Sequence, residues 1–277
     1  MTEPLQQIPY GRNLGFRDHV RRYLVGEGLD LGPWHEPFFS PNGNIKTVER
    51  YSLRDLKINF ADLPVEELAK LQEPDFVCDF DKDFLAEFDN ESYDFIVASH
   101  LLEHVAQPFL LISDIHRVLK RGGLLLIALP DLRNTFDNKR TPMDFEHFKE
   151  DIKLQIKIDD LSHVIDYVSN VLSIDPDKMS SQDTQKVIAE SYHVHAFTDR
   201  HFVLLLDQMQ EFLDFNFELI FASQSIETHA RYEEFILVLR KIDSSTNIRS
   251  AFFSLTGRKD NNFGTVATKL MKFLKRF

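Results

Sequence analysis

The sequence predicts a doubly wound α/β fold with a mixed sheet. Three observations predict it: short apolar runs alternate with segments of helical spacing, the run at 124–129 is apolar throughout, and the last two runs lack a helix between them. Alternating strands and helices are typical of a mostly parallel sheet. The last two runs are joined by about eleven residues, which is short for a parallel crossover. We therefore expect an antiparallel last strand.

The predicted elements follow one another in a regular order. Strands are expected at 28–32, 44–49, 75–79, 93–98 and 124–129, and two more at 217–222 and 234–240; helices are expected at 63–71, 108–120 and 199–213. Arg121-Gly122-Gly123 should end the second of these helices. The uniformly apolar fifth strand is typical of a parallel strand buried on both faces.

Composition and charge exclude several classes of function. The chain has 277 residues, 43% of them apolar, with 25 Phe and one Cys, so we expect a sizeable core and no internal disulfide. No apolar run approaches the roughly 20 residues of a membrane helix, and we expect a cytoplasmic location. Residues 245–277 carry seven Lys or Arg and one Asp, a net +6, which leaves −12 − 6 = −18 for residues 1–244. An acidic body argues against nucleic acid as a partner.

The chain divides into a main domain at 1–244 and a basic tail at 245–277. Within the domain, residues about 137–192 form a charged segment of helical spacing after the fifth strand. Ligands bind beyond the carboxyl ends of strands in open α/β sheets, so this insert is placed to act as a helical cap. A helical hairpin that only thickens the domain is the alternative.

The tail ends in an amphipathic pattern at 264–277. Its apolar positions are Val266, Leu270, Phe273, Leu274 and Phe277, and its cations are Lys269, Lys272, Lys275 and Arg276. Such a helix packs on the acidic body or on a second subunit, or it lies on an anionic membrane surface.

His100-Leu-Leu-Glu103-His104 matches the H-x-x-E-H signature of one zinc-peptidase class. Zinc binding by that signature needs both histidines on one face of a helix. Here the predicted strand at 93–98 runs directly into Ser99 and His100. The pattern therefore does not indicate a peptidase, and we assign no metal ligand from the sequence.

Three consecutive segments resemble class I S-adenosylmethionine-dependent methyltransferases of the type 11 group. They are YDFIVASHLLEH at 93–104, RVLKRGG at 117–123 and LLLIALPD at 124–131. A looser likeness to a bacterial subgroup rests on a G-P-x-x-x-P loop at 32–37 and a P-D-x-R-x-T-F-D segment at 130–137. The resemblance implies a Rossmann-like sheet, S-adenosylmethionine as cofactor and a small-molecule or glycan-linked acceptor, which suggests glycan biosynthesis.

The same resemblance implies a cofactor site at the ends of the first four strands. Its residues are Gly32 and Pro33 in the first loop, Glu49 for the ribose hydroxyls, Asp79 and Phe80 for adenine, and Ser99 and His100 beside the methionine part. Only the first glycine of the family's G-x-G-x-G loop is kept. A protein that kept the fold but lost catalysis is therefore the alternative function. Some similar methyltransferases hold a divalent ion with an E-x-x-E-H segment, but here His100 replaces the first Glu.

Methyl transfer to an oxygen needs a general base, and histidine has a suitable unperturbed pKa. The candidate catalytic residues are His195, His193, Asp131, Arg133 and His104, and His100 and His147 are further candidates for the base. Arg133 either holds an anionic or sugar-linked acceptor or pairs with Asp137. The sequence leaves this choice open.

Overall fold

The fold, seen in a computed structural model, is built on one seven-stranded sheet. The structure describes residues 20–34, 36–59, 61, 64–189, 192–223, 234–244 and 246–257. The strands are β1 (Val25–Leu31), β2 (Asn42–Glu49), β3 (Phe76–Val77), β4 (Tyr93–Ser99), β5 (Leu119–Pro130), β6 (Phe217–Ala222) and β7 (Glu234–Lys241). They lie in the order β3-β2-β1-β4-β5-β7-β6. The first five are parallel, and β7 is antiparallel to both neighbours. The predicted mixed sheet with an antiparallel last strand is confirmed.

Eight α-helices within the described part of the chain accompany the sheet. They are α1 (Leu53–Asn59), α2 (Val65–Leu68), α3 (Pro108–Val118), α4 (Phe145–Leu154), α5 (Leu161–Tyr167), α6 (Ser181–Ala189), α7 (Asp199–Leu213) and α8 (Ile248–Thr256). None of the described helices is long and apolar enough to cross a membrane.

The central strands bury both faces, as their apolar sequences require. In β4, Ile96 and Ala98 join the large core with α3 and α7, while Phe95 and Val97 join a smaller core on the other face with Val20 and Leu24. This alternation follows from the two-residue period of a strand.

The boundary between α3 and β5 differs from the prediction. The helix ends at Val118, and Leu119 is already extended, so Gly122 and Gly123 lie inside β5 and do not end the helix. The pairing register shifts here, because Tyr93 and Phe95 of β4 face Leu119 and Leu124. Gly122, with φ +75, supplies the backbone conformation that such an irregularity needs.

Helices α4, α5 and α6 occupy the segment between β5 and α7. Phe148 of α4 packs in the large core. A separate small core is formed by Val164, Val168, Val187, Tyr192 and Val194. The insert therefore has apolar contacts of its own, and α4 anchors it to the main domain through Phe148, Phe145 and Ile152.

Arg140 ties this insert together from within. It is buried, and it donates to Asp137 Oδ1 at 3.0 Å, Asp166 Oδ2 at 2.7 Å and the carbonyl oxygens of His193 and Val194, both at 2.8 Å. A buried guanidinium is tolerable only with such partners. Burial raises the pKa of Asp137, but hydrogen bonds from His193 and the charge of Arg140 outweigh it, so the net shift is downward.

Part of the predicted tail belongs to the core. Ile248 and Phe252 of α8 are buried in the large core, and α8 packs on β6 and α7. The predicted amphipathic helix at 264–277 lies outside the described residues.

Candidate active site

The site is built at the edge where the parallel strands end. Strands β1, β2, β4 and β5 run toward this edge, and β7 begins there because it is antiparallel; Glu234 pairs with Pro130. Ligands bind at this edge in open α/β sheets. Chemistry-bearing side chains follow several of these strands.

The first loop folds against the end of β2. Gly32 follows β1 with φ +64, and its N–H donates to the Val48 carbonyl oxygen at 2.8 Å. A Cβ at Gly32 would lie 3.0 Å from Leu101 Cδ1, so a side chain would be both strained and crowded. After Pro33, the Trp34 N–H donates to Glu49 Oε1. Residues 32–34 thus keep a defined conformation without the further glycines of a G-x-G-x-G loop.

Glu49 is a buried carboxylate that makes no ion pair with a described residue. Its residue exposure is 7%, and burial raises its pKa to about 7 although N–H groups of Trp34 and Arg50 lower it in part. Desolvation disfavours the charged form, so hydrogen-bond donors from a ligand would stabilise it. The group is suited to accept from a diol.

The residues after β3 separate into exposed and buried positions. The Asp79 carboxylate is partly exposed, accepts from the Asp81 N–H at 3.1 Å and lies 3.3 Å from Lys82 Nζ. The Phe80 ring is buried in the large core. Asp81 forms an ion pair with Arg50, so of Asp79 and Asp81 it is Asp79 whose carboxylate is more accessible to a ligand.

His100 stands between two buried carboxylates. Its Nε2 lies 2.8 Å from Glu234 Oε2, and its Nδ1 lies 3.6 Å from Glu103 Oε1. The His100 side chain is 32% exposed, whereas Glu103 and Glu234 are each 1% exposed. The His100 backbone is left-handed with φ +52, and its N–H donates to the Ala128 carbonyl oxygen at 2.9 Å. Strain of this kind is often found at functional sites.

The two histidines of the H-x-x-E-H pattern do not share a helix. Leu102–His104 is a single 3-10 turn, and His100 precedes it in the left-handed region. The His104 ring packs edge-on against His193 at 4.7 Å, and its Nδ1 lies 3.1 Å from the Tyr192 carbonyl oxygen. Burial lowers the pKa of His104 to about 4, so this ring is neutral at pH 7.

The buried Glu103 carboxylate lies between the His100 and His104 rings. Neither of its oxygens has a hydrogen-bond partner among the described residues. His193 Nδ1 contacts Asp137 Oδ2 at 2.6 Å. Ligand atoms of Glu103, His104 and His193 lie within 4.8 Å of one another.

Arg133 is held by two buried carboxylates. Its Nε donates to Asp131 Oδ1 at 2.8 Å, its Nη2 donates to Asp131 Oδ2 and Asp199 Oδ1, and the hydrogen bonds that Asp131 accepts raise the pKa of Arg133. Asp137 pairs with Arg140 and His193 instead, so the alternative of an Arg133–Asp137 pair is wrong. The charge of Arg133 is therefore largely compensated within the protein.

His195 points to the helical insert. It is completely buried, its Nε2 lies 3.2 Å from the Ala106 carbonyl oxygen, and its ring lies against Phe148 and His163. Burial lowers its pKa well below the usual value. The chain bends at Val194, so His193 and His195 enter different clusters, His193 beside Asp137 and His195 beside Ala106.

Sequence reasoning missed Glu234, Asp199, Asp151 and His163. Glu234 could have been found, because an antiparallel last strand begins at the edge where the parallel strands end. His147 and Asp151 have the i, i+4 spacing of one helix face. Nothing in the sequence indicates that His163 joins them.

Comparison with known proteins gives a family match and several similar folds. Residues 49–127 match a family model described as a methyltransferase domain. No curated protein sequence matches the chain.

Similar solved structures include S-adenosylmethionine-dependent methyltransferases from two organisms. The protein of Methanosarcina mazei is 19% identical (84% of this chain, 100% of that chain, TM-score 0.44), and that of Mesorhizobium loti is 13% identical (82% and 96%, TM-score 0.47). A Rhodobacter sphaeroides protein named as a Zn-dependent alcohol dehydrogenase is 12% identical (84% and 91%, TM-score 0.49).

Proposed function

Because the chain is a class I S-adenosylmethionine-dependent methyltransferase, we propose that it methylates a hydroxyl oxygen of a neutral small-molecule or glycan-linked acceptor. The observation that carries the proposal is the contact of the exposed His100 ring with the buried Glu234 carboxylate at the carboxyl edge of the sheet.

The described residues fit the cofactor. S-adenosylmethionine supplies a methyl group activated by a sulfonium. Glu49 would accept the two ribose hydroxyls, since its carboxylate is buried and makes no ion pair within the described part of the chain, and Asp79 would accept from the adenine amine. Gly32 would let the backbone pass close to the ligand, and Ser99 and His100 would border the methionine part.

We assign the role of general base to His100. With Nε2–H donating to Glu234, Nδ1 carries the lone pair that can accept the hydroxyl proton of the substrate. The nearby carboxylates of Glu234 and Glu103 would stabilise the protonated ring that results. Fully buried His195 is a poorer candidate because its nitrogens face the Ala106 carbonyl and the insert cluster.

The charges at this edge favour a neutral acceptor. Among the described residues around His100 and Arg133, the carboxylates Glu103, Glu234, Asp131 and Asp199 outnumber Arg133, which is already paired. A phosphate or carboxylate would be repelled, whereas hydroxyl groups would find hydrogen-bond acceptors. We assign Arg133 a structural role, because it links Asp131, directly after β5, to Asp199, the first residue of α7.

An assay with methyl-labelled S-adenosylmethionine tests this function. Transfer to neutral sugars and glycans is expected to exceed transfer to their phosphorylated or carboxylated counterparts by roughly tenfold or more, since each unfavourable charge contact costs on the order of 1 kcal/mol or more. Equal transfer to both kinds of acceptor would contradict the charge argument. Transfer only to amines would contradict the oxygen nucleophile.

The helical insert of α4, α5 and α6 is proposed to cover the acceptor. It follows β5 and shares the residues around Arg140 with the segment that carries His193. Cofactor and acceptor together should slow amide hydrogen exchange across 145–189 by about tenfold, because closure removes local opening. If amide exchange across 145–189 is identical with and without both ligands, the insert does not cover the acceptor and only thickens the domain.

A further inference from the structure

Four side chains converge between the helical insert and the main domain. They are His147 and Asp151 on α4, His163 on α5 and His195 before α7, and each offers one ligand atom within 4.8 Å of the others. Three of the four are buried, while the His147 side chain is 30% exposed. The cluster is separate from the contact of His100 with Glu234.

The distances within the cluster match a tetrahedral ion. His147 Nε2 lies 3.2 Å from His163 Nε2 and 3.0 Å from Asp151 Oδ2, and His163 Nε2 lies 3.3 Å from Asp151 Oδ2. Zinc bonds of about 2.0 to 2.1 Å in a tetrahedron separate neighbouring ligands by about 3.3 Å. Two imidazole nitrogens and a carboxylate oxygen thus already stand at the corners of one face.

Hydrogen bonds to groups outside the cluster occupy one ring nitrogen of His195 and one of His163, so the other nitrogen of each ring can bind the ion. His195 Nε2 donates to the Ala106 carbonyl oxygen, so Nδ1 carries the lone pair; this buried Nδ1 has no hydrogen-bond partner among the described residues. His163 Nδ1 lies 3.3 Å from Asp160 Oδ1, which orients Nε2 toward the cluster. Metal-binding histidines commonly have a carboxylate or carbonyl at the other nitrogen.

We propose that His147, Asp151, His163 and His195 form a zinc site. Three imidazoles and one carboxylate in tetrahedral arrangement suit Zn²⁺, whereas Mg²⁺ and Ca²⁺ prefer six or more oxygen ligands. Four protein ligands fill the coordination sphere, which is typical of a structural site.

The site would fix the insert to the catalytic edge. His195 also donates its backbone N–H to the Glu103 carbonyl oxygen at 3.1 Å, so the ion would hold α4 and α5 to the segment that carries His100 and Glu103. Zinc binding would thereby stabilise the folded insert by linkage.

Zinc titration of the full chain tests this site. The protein is stripped with a chelator and titrated with Zn²⁺ in competition with a fluorescent indicator; we expect one equivalent to bind with Kd below ~1 µM. Co²⁺ should give the intense visible absorption of a tetrahedral centre. His147→Gln, at the most exposed ligand, should weaken zinc binding at least about 100-fold, because even partners outside the ligands are worth roughly 10- to 100-fold.

Two further variants serve as graded and matched controls. Asp160→Asn keeps a side chain that can cap α5 but removes the carboxylate beside His163, and it should weaken binding roughly 10- to 100-fold. His104→Gln alters the Glu103, His104 and His193 group and should leave zinc affinity unchanged. The proposal is overturned if no equivalent binds, or if His147→Gln binds zinc as tightly as the unaltered chain while His104→Gln does not.

Discussion

Replacing His100 with Gln is expected to lower kcat by about 100- to 10,000-fold, the usual contribution of a general base. The side chain of Gln can still contact Glu234 but cannot take a proton at neutral pH. Affinity for S-adenosylmethionine should change less than about fivefold, because the ribose and adenine contacts assigned to Glu49 and Asp79 remain. Steady-state kinetics with labelled methyl donor and isothermal titration measure the two effects separately.

His116→Gln is the matched control for this variant. His116 is a partly buried histidine of α3, and its Nε2 lies 3.1 Å from the carbonyl oxygen of Asn216, the residue before β6. It therefore lies at the edge of the sheet opposite His100. Burial lowers the pKa of His116 to about 4. Its replacement should leave kcat within a few-fold. If His100→Gln retains normal kcat in a correctly folded protein, the base is another group.

Replacing Glu49 with Gln is expected to weaken S-adenosylmethionine binding about tenfold or more while stabilising the free protein. A diol that loses its charged acceptor loses roughly 1 to 3 kcal/mol of binding. Burial raises the pKa of Glu49 from its usual range to about 7, so charging the group in the free protein opposes folding above about pH 5. Removing it should raise the free energy of unfolding at pH 8 by about 2 kcal/mol.

The same residue predicts how binding depends on pH. Only the charged carboxylate accepts from both hydroxyls, so binding should release a proton, and affinity should fall as the pH falls through 7. A pKa of about 7 implies roughly tenfold weaker binding at pH 6 than at pH 8. Titration of the unaltered chain and of Glu49→Gln across this range measures it.

Glu73→Gln, which alters an exposed glutamate before β3, controls for the loss of one negative charge. It should change neither affinity nor the pH profile. A pH-independent affinity in the unaltered chain, or equal affinity for Glu49→Gln, would remove Glu49 from the cofactor site. If Glu49→Gln is less stable than the unaltered chain at pH 8, the charged Glu49 carboxylate does not destabilise the free protein.

The positions of the strands, and the edge of the sheet at which the candidate site lies, were predictable from the sequence. Apolar periodicity is a local property, and it located all seven strands, including the antiparallel last strand at 234–240. Gly32 and Glu49 could be named because they follow strands whose ends must meet at one edge. The exact end of α3 was not predictable, because Gly122 and Gly123 read as a helix stop but lie in an irregular part of β5.

Tertiary structure alone decided which side chains meet. His100 contacts Glu234 across 134 positions of sequence, and His193 and His195 enter different clusters because the chain bends at Val194 between them. The four ligands of the proposed zinc site come from α4, α5 and the segment before α7. Contacts of this kind depend on how the insert packs on the sheet, which involves many residues far apart in sequence, so no local pattern of residues determines them.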